Sequence, residues 1–150
     1  MYQLASSRLG IVLATLAAVL LAQLPAGESA AQRKSKSIQS EARWVSFDAE
    51  AKTATVKIVK PGKIRDKQQR KQIKAGKQVV FDVTPEGSVL TRTTVAINGM
   101  KSEFADIKPG KRVYVYWSVD EARPHGRYAR KIDVIFSREE LEARYGAEDE

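Results

Sequence analysis

The sequence of 150 residues contains no cysteine and a single histidine, His125. Without cysteine the chain can form no disulfide framework, no thiolate zinc site and no cysteine nucleophile. A lipoprotein anchor is excluded for the same reason, since it is attached to a cysteine at the cleavage point. One histidine cannot form a poly-histidine metal site. We therefore predict a domain that is stabilised by its hydrophobic core, with no metal and no cofactor.

Motifs of common enzyme active sites are also absent. The sequence has neither the Gly-x-Ser-x-Gly elbow of a serine hydrolase nor a phosphate-binding loop of the Walker type. His125 follows Asp120 and Glu121, so one interpretation is a general base flanked by carboxylates, and the other is a solvated hairpin loop. We predict no catalytic residue, and a small envelope enzyme remains the least favoured of three functional alternatives.

Residues 1–31 are typical of a cleavable secretory signal peptide. Arg8 precedes an apolar run of about 16 residues, from Leu9 to Leu24, which is shorter than the roughly 20 residues that span a bilayer. Small residues at positions 29–31 predict cleavage after Ala31, with the bond after Ala30 as a neighbouring site. We expect the protein to be exported and to be periplasmic or extracellular, with a retained N-terminal anchor as the alternative.

The charge of the chain is strongly positive and unevenly distributed. The formal net charge is +8; residues 33–77 carry 14 Lys or Arg and four Asp or Glu, whereas residues 137–150 carry six acids and two arginines. Such asymmetry favours an acidic partner or a contact between the two regions. The candidate partners are an anionic glycan or cell-wall polymer, an anionic lipid headgroup or membrane surface, nucleic acid, and an acidic protein surface. A charge that merely keeps the protein soluble is the alternative.

Short alternating apolar runs separated by turn residues dominate the region 41–136. Six of these runs predict strands, at residues 43–47, 53–59, 78–84, 89–97, 112–118 and 128–136. Asn98 and Gly99 are typical of a type I′ hairpin turn, because both residues tolerate a positive φ. Runs at this spacing, with no helical crossover between most of them, favour a mainly all-β fold, a small antiparallel barrel of about six strands.

The segments around and within the predicted barrel have other patterns. Residues 32–40 are polar and basic and predict a flexible lead-in, and residues 137–150 predict an acidic helix and tail capped by Ser137. Within the barrel domain, residues 63–77 form a basic insertion without strand alternation. This insertion predicts a helix at about residues 65–74, with a solvated loop as the alternative.

The basic insertion supplies the first candidate site. If it is helical, Lys67, Arg70, Lys71 and Lys74 lie along one side at helical spacing and could bind a polyanion. The repulsion between these cations could instead be relieved by the acidic tail of the protein itself.

The predicted strand 112–118 supplies the second candidate site. Its apolar residues Val113, Val115 and Trp117 are expected to face the core, which places Arg112, Tyr114 and Tyr116 on the opposite face. Exposed tyrosines on a barrel strand can stack against a ligand. Ordinary packing across neighbouring strands is the alternative.

A pattern of packing and turn residues runs through the second half of the domain, at Phe104, Asp106 to Gly110, Val113, Ala129 and Ile132. Across residues 91–134 the chain thereby resembles a group of exported bacterial small β-barrel domains of unknown function, which are related in shape to OB-fold proteins. The predicted hairpin of residues 44–56 also fits this group, whereas the basic insertion is longer than the group's pattern. The resemblance implies an OB-like barrel and assigns no catalytic residue.

These observations favour an exported, non-enzymatic, OB-like binding module of the cell envelope with an acidic ligand. The alternative is a structural or assembly protein that docks an envelope protein partner through its basic segment.

Overall fold

The computed structural model describes residues 36–146. The predicted signal peptide, the first residues of the lead-in and the last four residues lie outside this range. The described strands are β1 (Ile38–Asp48), β2 (Thr53–Lys60), β3 (Gln78–Asp82), β4 (Thr94–Ile97), β5 (Met100–Ser102), β6 (Arg112–Val119) and β7 (Arg127–Val134). The described helices are α1 (Lys67–Gln72), a 3₁₀ turn at Phe104–Asp106, and α2 (Arg138–Tyr145).

Five of the strands close into a small barrel. β1 pairs antiparallel with β2 and with β6, β2 pairs with β3, and β6 pairs with β7. A parallel pairing between Asp82 of β3 and Tyr128 of β7 completes the closure. β4 extends the sheet by pairing parallel with β7, and β5 pairs with β4. The predicted mainly β, OB-like barrel is confirmed. Five strands form the barrel where about six were predicted, and two of the pairings of the predicted antiparallel sheet, β3–β7 and β4–β7, are parallel.

The core consists of the inward-facing side chains of the barrel strands. Val113, Val115 and Trp117 are fully buried, as alternation along β6 requires. The indole Nε1 of Trp117 donates a hydrogen bond of 2.9 Å to Ser40 Oγ, so the one polar atom of this buried ring is satisfied. Phe104 is buried and stacks on Phe47, with 4.3 Å between the ring centroids.

β1 begins earlier than the sequence pattern predicts. The predicted flexible lead-in extends to residue 40, but Ile38 already pairs with Trp117 of β6, and Ser40 is fully buried. Ser40 donates a hydrogen bond of 2.6 Å to the carbonyl of Pro61. The start of β1, at residues 38–40, has no strand alternation in its sequence. It joins the barrel because it pairs with β6 and hydrogen-bonds to the loop after β2.

The predicted strand at residues 89–97 is shorter than expected and is displaced towards its C-terminal end. β4 begins at Thr94, and residues 88–91 form a turn in which the carbonyl of Ser88 accepts a hydrogen bond from the amide of Thr91. After β4, Asn98 and Gly99 have φ values of 52° and 77°. These values fit the predicted type I′ turn, which joins β4 to β5.

Both predicted helices are present and capped. Asp66 caps α1 by accepting a hydrogen bond of 2.8 Å from the amide of Gln69, and Ser137 caps α2 through the amide of Glu140. α1 covers only six residues because Ile73, which is buried in the core, adopts an extended conformation at its end. Within residues 36–146, neither helix is long and apolar enough to cross a membrane.

Candidate functional site

The outer face of β6 carries the second candidate group. Since Val113, Val115 and Trp117 point inward, the alternating side chains of Arg112, Tyr114 and Tyr116 point away from the core. Arg112 is exposed, and the two tyrosines are half-buried.

Strand register extends this face into a row of cations across three strands. Arg43 on β1 lies opposite Arg112 on β6 and opposite Lys57 on β2. Residues in register on neighbouring strands share a face and are separated by about 5 Å. We call Arg112, Arg43 and Lys57 the cationic row. Like charges placed directly opposite one another destabilise a sheet, so folding alone does not favour this arrangement.

The cationic row is only partly neutralised by the protein itself. Arg112 Nε lies 2.9 Å from Glu41 Oε1, and this hydrogen bond, followed by the negative charge of Glu41, raises the pKa of Arg112. Glu41 also lies 3.8 Å from Lys60 Nζ. Arg43 donates a hydrogen bond of 3.1 Å to the carbonyl of Gly110. Neither Arg43 nor Lys57 forms an ion pair with any residue in the range 36–146, so two of the three cations remain available to an anion.

Two aromatic rings lie on the same outer face of β6, at Tyr114 and Tyr116, two and four positions along the strand from Arg112. The Arg112 guanidinium carbon lies 5.8 Å from the centre of the Tyr114 ring, and Lys131 Nζ lies 5.6 Å from that of Tyr116. Lys131 is also 2.9 Å from Asp133 Oδ2, a hydrogen bond that raises the pKa of the lysine. Beside Tyr114, an open groove of about 440 Å³ separates it from the β4–β5 hairpin. The outer face therefore combines free cations with partly exposed aromatic rings.

The predicted stripe on the basic insertion is not formed as a single face. Lys67, Arg70 and Lys71 lie on α1, but Lys74 follows the helix end, because the chain turns at Ile73. Arg70 donates hydrogen bonds of 3.0 Å and 3.1 Å to the carbonyls of Ile64 and Arg65. The prediction of four aligned cations is therefore wrong in geometry.

The acidic residues described in α2 do not neutralise the insertion. Glu140 pairs with Lys111, and Glu142 pairs with Arg138 one helical turn earlier. The hydrogen bond from Lys111, and then that from the backbone of Ser137, lowers the pKa of Glu140. The predicted contact between the insertion and the tail is absent among the described residues.

His125 has a partner that sequence spacing did not indicate. Its Nδ1 lies 2.7 Å from Oδ1 of Asp82, a buried residue at the end of β3, and its amide donates to Oδ2 of the same carboxylate at 2.8 Å. The flanking Asp120 instead lies 3.5 Å from Arg123. His125 therefore ties the loop before β7 to β3.

Arg127, next to this loop, holds α1 against the barrel. Its side chain is buried and donates to the carbonyl of Val80 at 2.7 Å and to the amide oxygens of Gln69 and Gln72 at 2.8 Å and 3.0 Å. Burial lowers the pKa of Arg127, partly offset by the charge of Asp82. Within the described part of the chain, no cluster of three or more His, Cys, Asp or Glu residues could hold a metal ion.

No protein-family model matches this chain, and no curated protein matches it. Among solved structures, the chain is similar to a tryptophan-to-alanine variant of CusF with Cu(II), from Escherichia coli. The two are 15% identical, the match covers 67% of this chain and 94% of that chain, and the TM-score is 0.41. A similarity of this size carries no argument about ligand or activity, and the barrel assignment rests on the strand pairings of this chain.

Sequence reasoning identified Arg112 but missed Arg43 and Lys57. Each of the missed cations sits at an outward position of an alternating strand, where a charged residue is ordinary. Their significance depends on the register that places them side by side, and that register is a long-range property of the barrel.

Proposed function

We propose that the protein is an exported, non-enzymatic binding module of the cell envelope that binds an extended anionic glycan across β6, β1 and β2. The observation that carries the proposal is the cationic row, in which Arg43 and Lys57 have no carboxylate partner in the range 36–146. Like charges in cross-strand register cost stability, and a bound polyanion would offset that cost.

The direction of the row suggests how the ligand lies. A row formed by register runs perpendicular to the strands, with about 5 Å between neighbouring positions. A polymer with closely spaced carboxylate, sulfate or phosphate groups could follow it, and its sugar rings could stack on Tyr114 or Tyr116. Cations and tyrosines bind such groups without supplying a nucleophile with an adjacent base, which supports a binding role.

The proposal includes membership in the exported OB-like group that residues 91–134 resemble. It is supported by the closed barrel and by the positions of the pattern residues. Phe104 is buried, and Gly110 adopts a φ of 85° in the turn before β6. Export itself rests on the pattern of residues 1–31.

The test is a titration of the processed protein, without residues 1–31, with dextran sulfate at several salt concentrations. In the double variant Arg43→Gln/Lys57→Gln, the dependence of affinity on salt should become flatter by about two charges, because each neutralised charge releases a counterion. The matched control is Lys67→Gln/Lys71→Gln, which removes the same charge from α1.

The outcome distinguishes binding at the cationic row from non-specific attraction of the ligand to the net positive charge of the protein. A smaller effect of the control pair supports the cationic row. Equal effects of the two pairs, or wild-type binding no stronger than that of an unrelated protein of similar net charge, would overturn the proposal. Competition by single-stranded nucleic acid at lower concentration than by the glycan would reassign the ligand class.

A second candidate function is docking of an envelope protein partner through the basic insertion. It is favoured by Lys67 and Lys71, which are exposed on α1 and form no ion pair within the described residues, while Gln69 holds the helix in place. Affinity purification from the envelope fraction distinguishes the two. A stoichiometric partner that resists high salt and is lost in Lys67→Gln/Lys71→Gln would favour docking.

A further inference from the structure

The turn between β3 and β4 exposes two apolar side chains. Val89 and Leu90 are 73% and 95% exposed, and they are the central residues of the turn that begins at Ser88. Central positions of turns are usually occupied by Gly, Pro, Asn, Asp or Ser, which have conformational or hydrogen-bonding reasons to be there. Apolar residues at both positions gain nothing from the fold, and they expose apolar surface to water.

The turn is held in place by hydrogen bonds on both sides. The carbonyl of Ser88 accepts hydrogen bonds of 3.0 Å from the amides of Thr91 and Arg92. The hydroxyl of Tyr128 on β7 donates to the carbonyl of Thr91 at 2.6 Å. Thr93 is buried and donates through its hydroxyl to the carbonyl of Ala129 at 2.7 Å. Val89 and Leu90 therefore project, largely exposed, from a turn whose base is anchored to the barrel.

The surroundings of the turn are cationic and aromatic. Arg92 follows the turn directly, and Arg130 on β7 adjoins Ala129; neither forms an ion pair within residues 36–146. The guanidinium of Arg123 lies 4.4 Å from the centre of the Tyr128 ring. The carboxylates nearby are Glu86, in the same loop, and Asp120, which is paired with Arg123. Glu103 lines the same cleft as Glu86 and Arg92, together with the cationic Lys101.

We propose that Val89 and Leu90 insert into the interfacial region of an anionic lipid bilayer and hold the protein on the membrane surface. An apolar tip supported by arginines and a tyrosine matches the layers of such a bilayer, with acyl chains beneath anionic headgroups. Positive charge around the tip complements the headgroups, whereas a neutral apolar pocket of a protein would gain nothing from it. This inference does not depend on the cationic row, which lies on β6, β1 and β2.

The experiment measures binding of the processed protein, which contains the whole barrel but not the apolar run of residues 9–24. The vesicles are phosphatidylethanolamine with phosphatidylglycerol, compared with phosphatidylcholine alone. Leu90→Ser should weaken binding to the anionic vesicles about tenfold or more, since each buried methylene contributes to the affinity. Its melting temperature should be unchanged. Met100→Ser is the matched control, because Met100 is 65% exposed but lies beyond the β4–β5 turn.

A second variant reports insertion directly. Leu90→Trp should show a blue-shifted emission on anionic vesicles, relative to wild type, whose described tryptophans Trp44 and Trp117 are buried. When Arg43→Gln and Lys57→Gln are added to Leu90→Trp, the blue shift should remain even if glycan binding is lost, so the two proposals can fail separately. Unchanged vesicle binding by Leu90→Ser, equal binding to phosphatidylcholine, or self-association that Leu90→Ser abolishes without any vesicle binding would each overturn the inference.

Discussion

Single residues of β6 illustrate how the barrel assigns opposite roles to adjacent side chains. Val115 is fully buried between β1 and β7, whereas its neighbour Tyr114 is half-buried on the outer face beside Arg112. The same alternation places Arg43 outward between the buried Ala42 and Trp44 of β1. A change of one position along the strand therefore separates a residue that stabilises the core from one that is available to a ligand.

This difference can be measured by substitution at the two positions. Val115→Asp places an unpaired charge in the core and should lower the free energy of unfolding by about 3–5 kcal/mol. Tyr114→Ser removes a partly exposed ring and should cost about 1 kcal/mol or less. Thermal or urea melts of the two variants give both values. Similar losses for the two would mean that the register of β6 is wrong.

Among the secondary-structure elements, the helices are held by specific side chains from the barrel or the loops beside it. Arg127 fixes α1 through two glutamine side chains, so the basic insertion is a docked element of the fold. α2 is capped by Ser137, and Glu140 joins it to Lys111, the residue before β6. Lys111 also contacts Phe136: its ammonium nitrogen lies 5.2 Å from the centre of the Phe136 ring.

The Lys111–Glu140 pair makes the attachment of α2 dependent on pH. Since the pKa of Glu140 is lowered in the folded protein from its ordinary value of 4.5, the charged form stabilises the fold. This contribution is fully present above that value and is lost as the pH falls through and below it. The difference in melting temperature between wild type and Glu140→Gln should therefore be largest near neutral pH and should vanish in acid. A difference that grew in acid would contradict the sign of the shift.

At the scale of the whole molecule, the positive net charge of +8 comes from residues 33–77, which contain 14 Lys or Arg and four Asp or Glu. Closure between β3 and β7 pairs the otherwise open edge of β3, a kind of edge that favours aggregation, whereas the short strand β5 pairs only with β4 among the described strands. The cationic row and the turn at Val89 and Leu90 lie on different parts of this barrel. One molecule could thus bind a polymer and a membrane surface independently.

Export is a property of the whole chain, and it can be tested by mass. We predict a mature N-terminus at Gln32, or at Ala31 if the neighbouring bond is cleaved. Intact-mass measurement on protein from its native host decides between these termini. A mass that includes residues 1–31, together with recovery in the membrane pellet, would show an anchored protein instead.

Local physics let the sequence by itself determine several elements of this protein. Alternation in residues 112–118 predicted which side chains of β6 are buried, the positive φ tolerated by Asn98 and Gly99 predicted the hairpin, and Ser137 predicted the cap of α2. Each of these depends on neighbours within a few positions along the chain, where steric and hydrogen-bonding preferences act directly.

The tertiary structure decided which distant residues meet. Arg43, Lys57 and Arg112 become neighbours through strand register, and Asp82 reaches His125 across 43 positions of sequence. Val89 and Leu90 have the composition of a strand, yet the anchoring of Thr91 and Thr93 on β7 makes them a turn. In each case the deciding contact is long-range, so its free energy depends on how the whole barrel packs, and no local pattern encodes it.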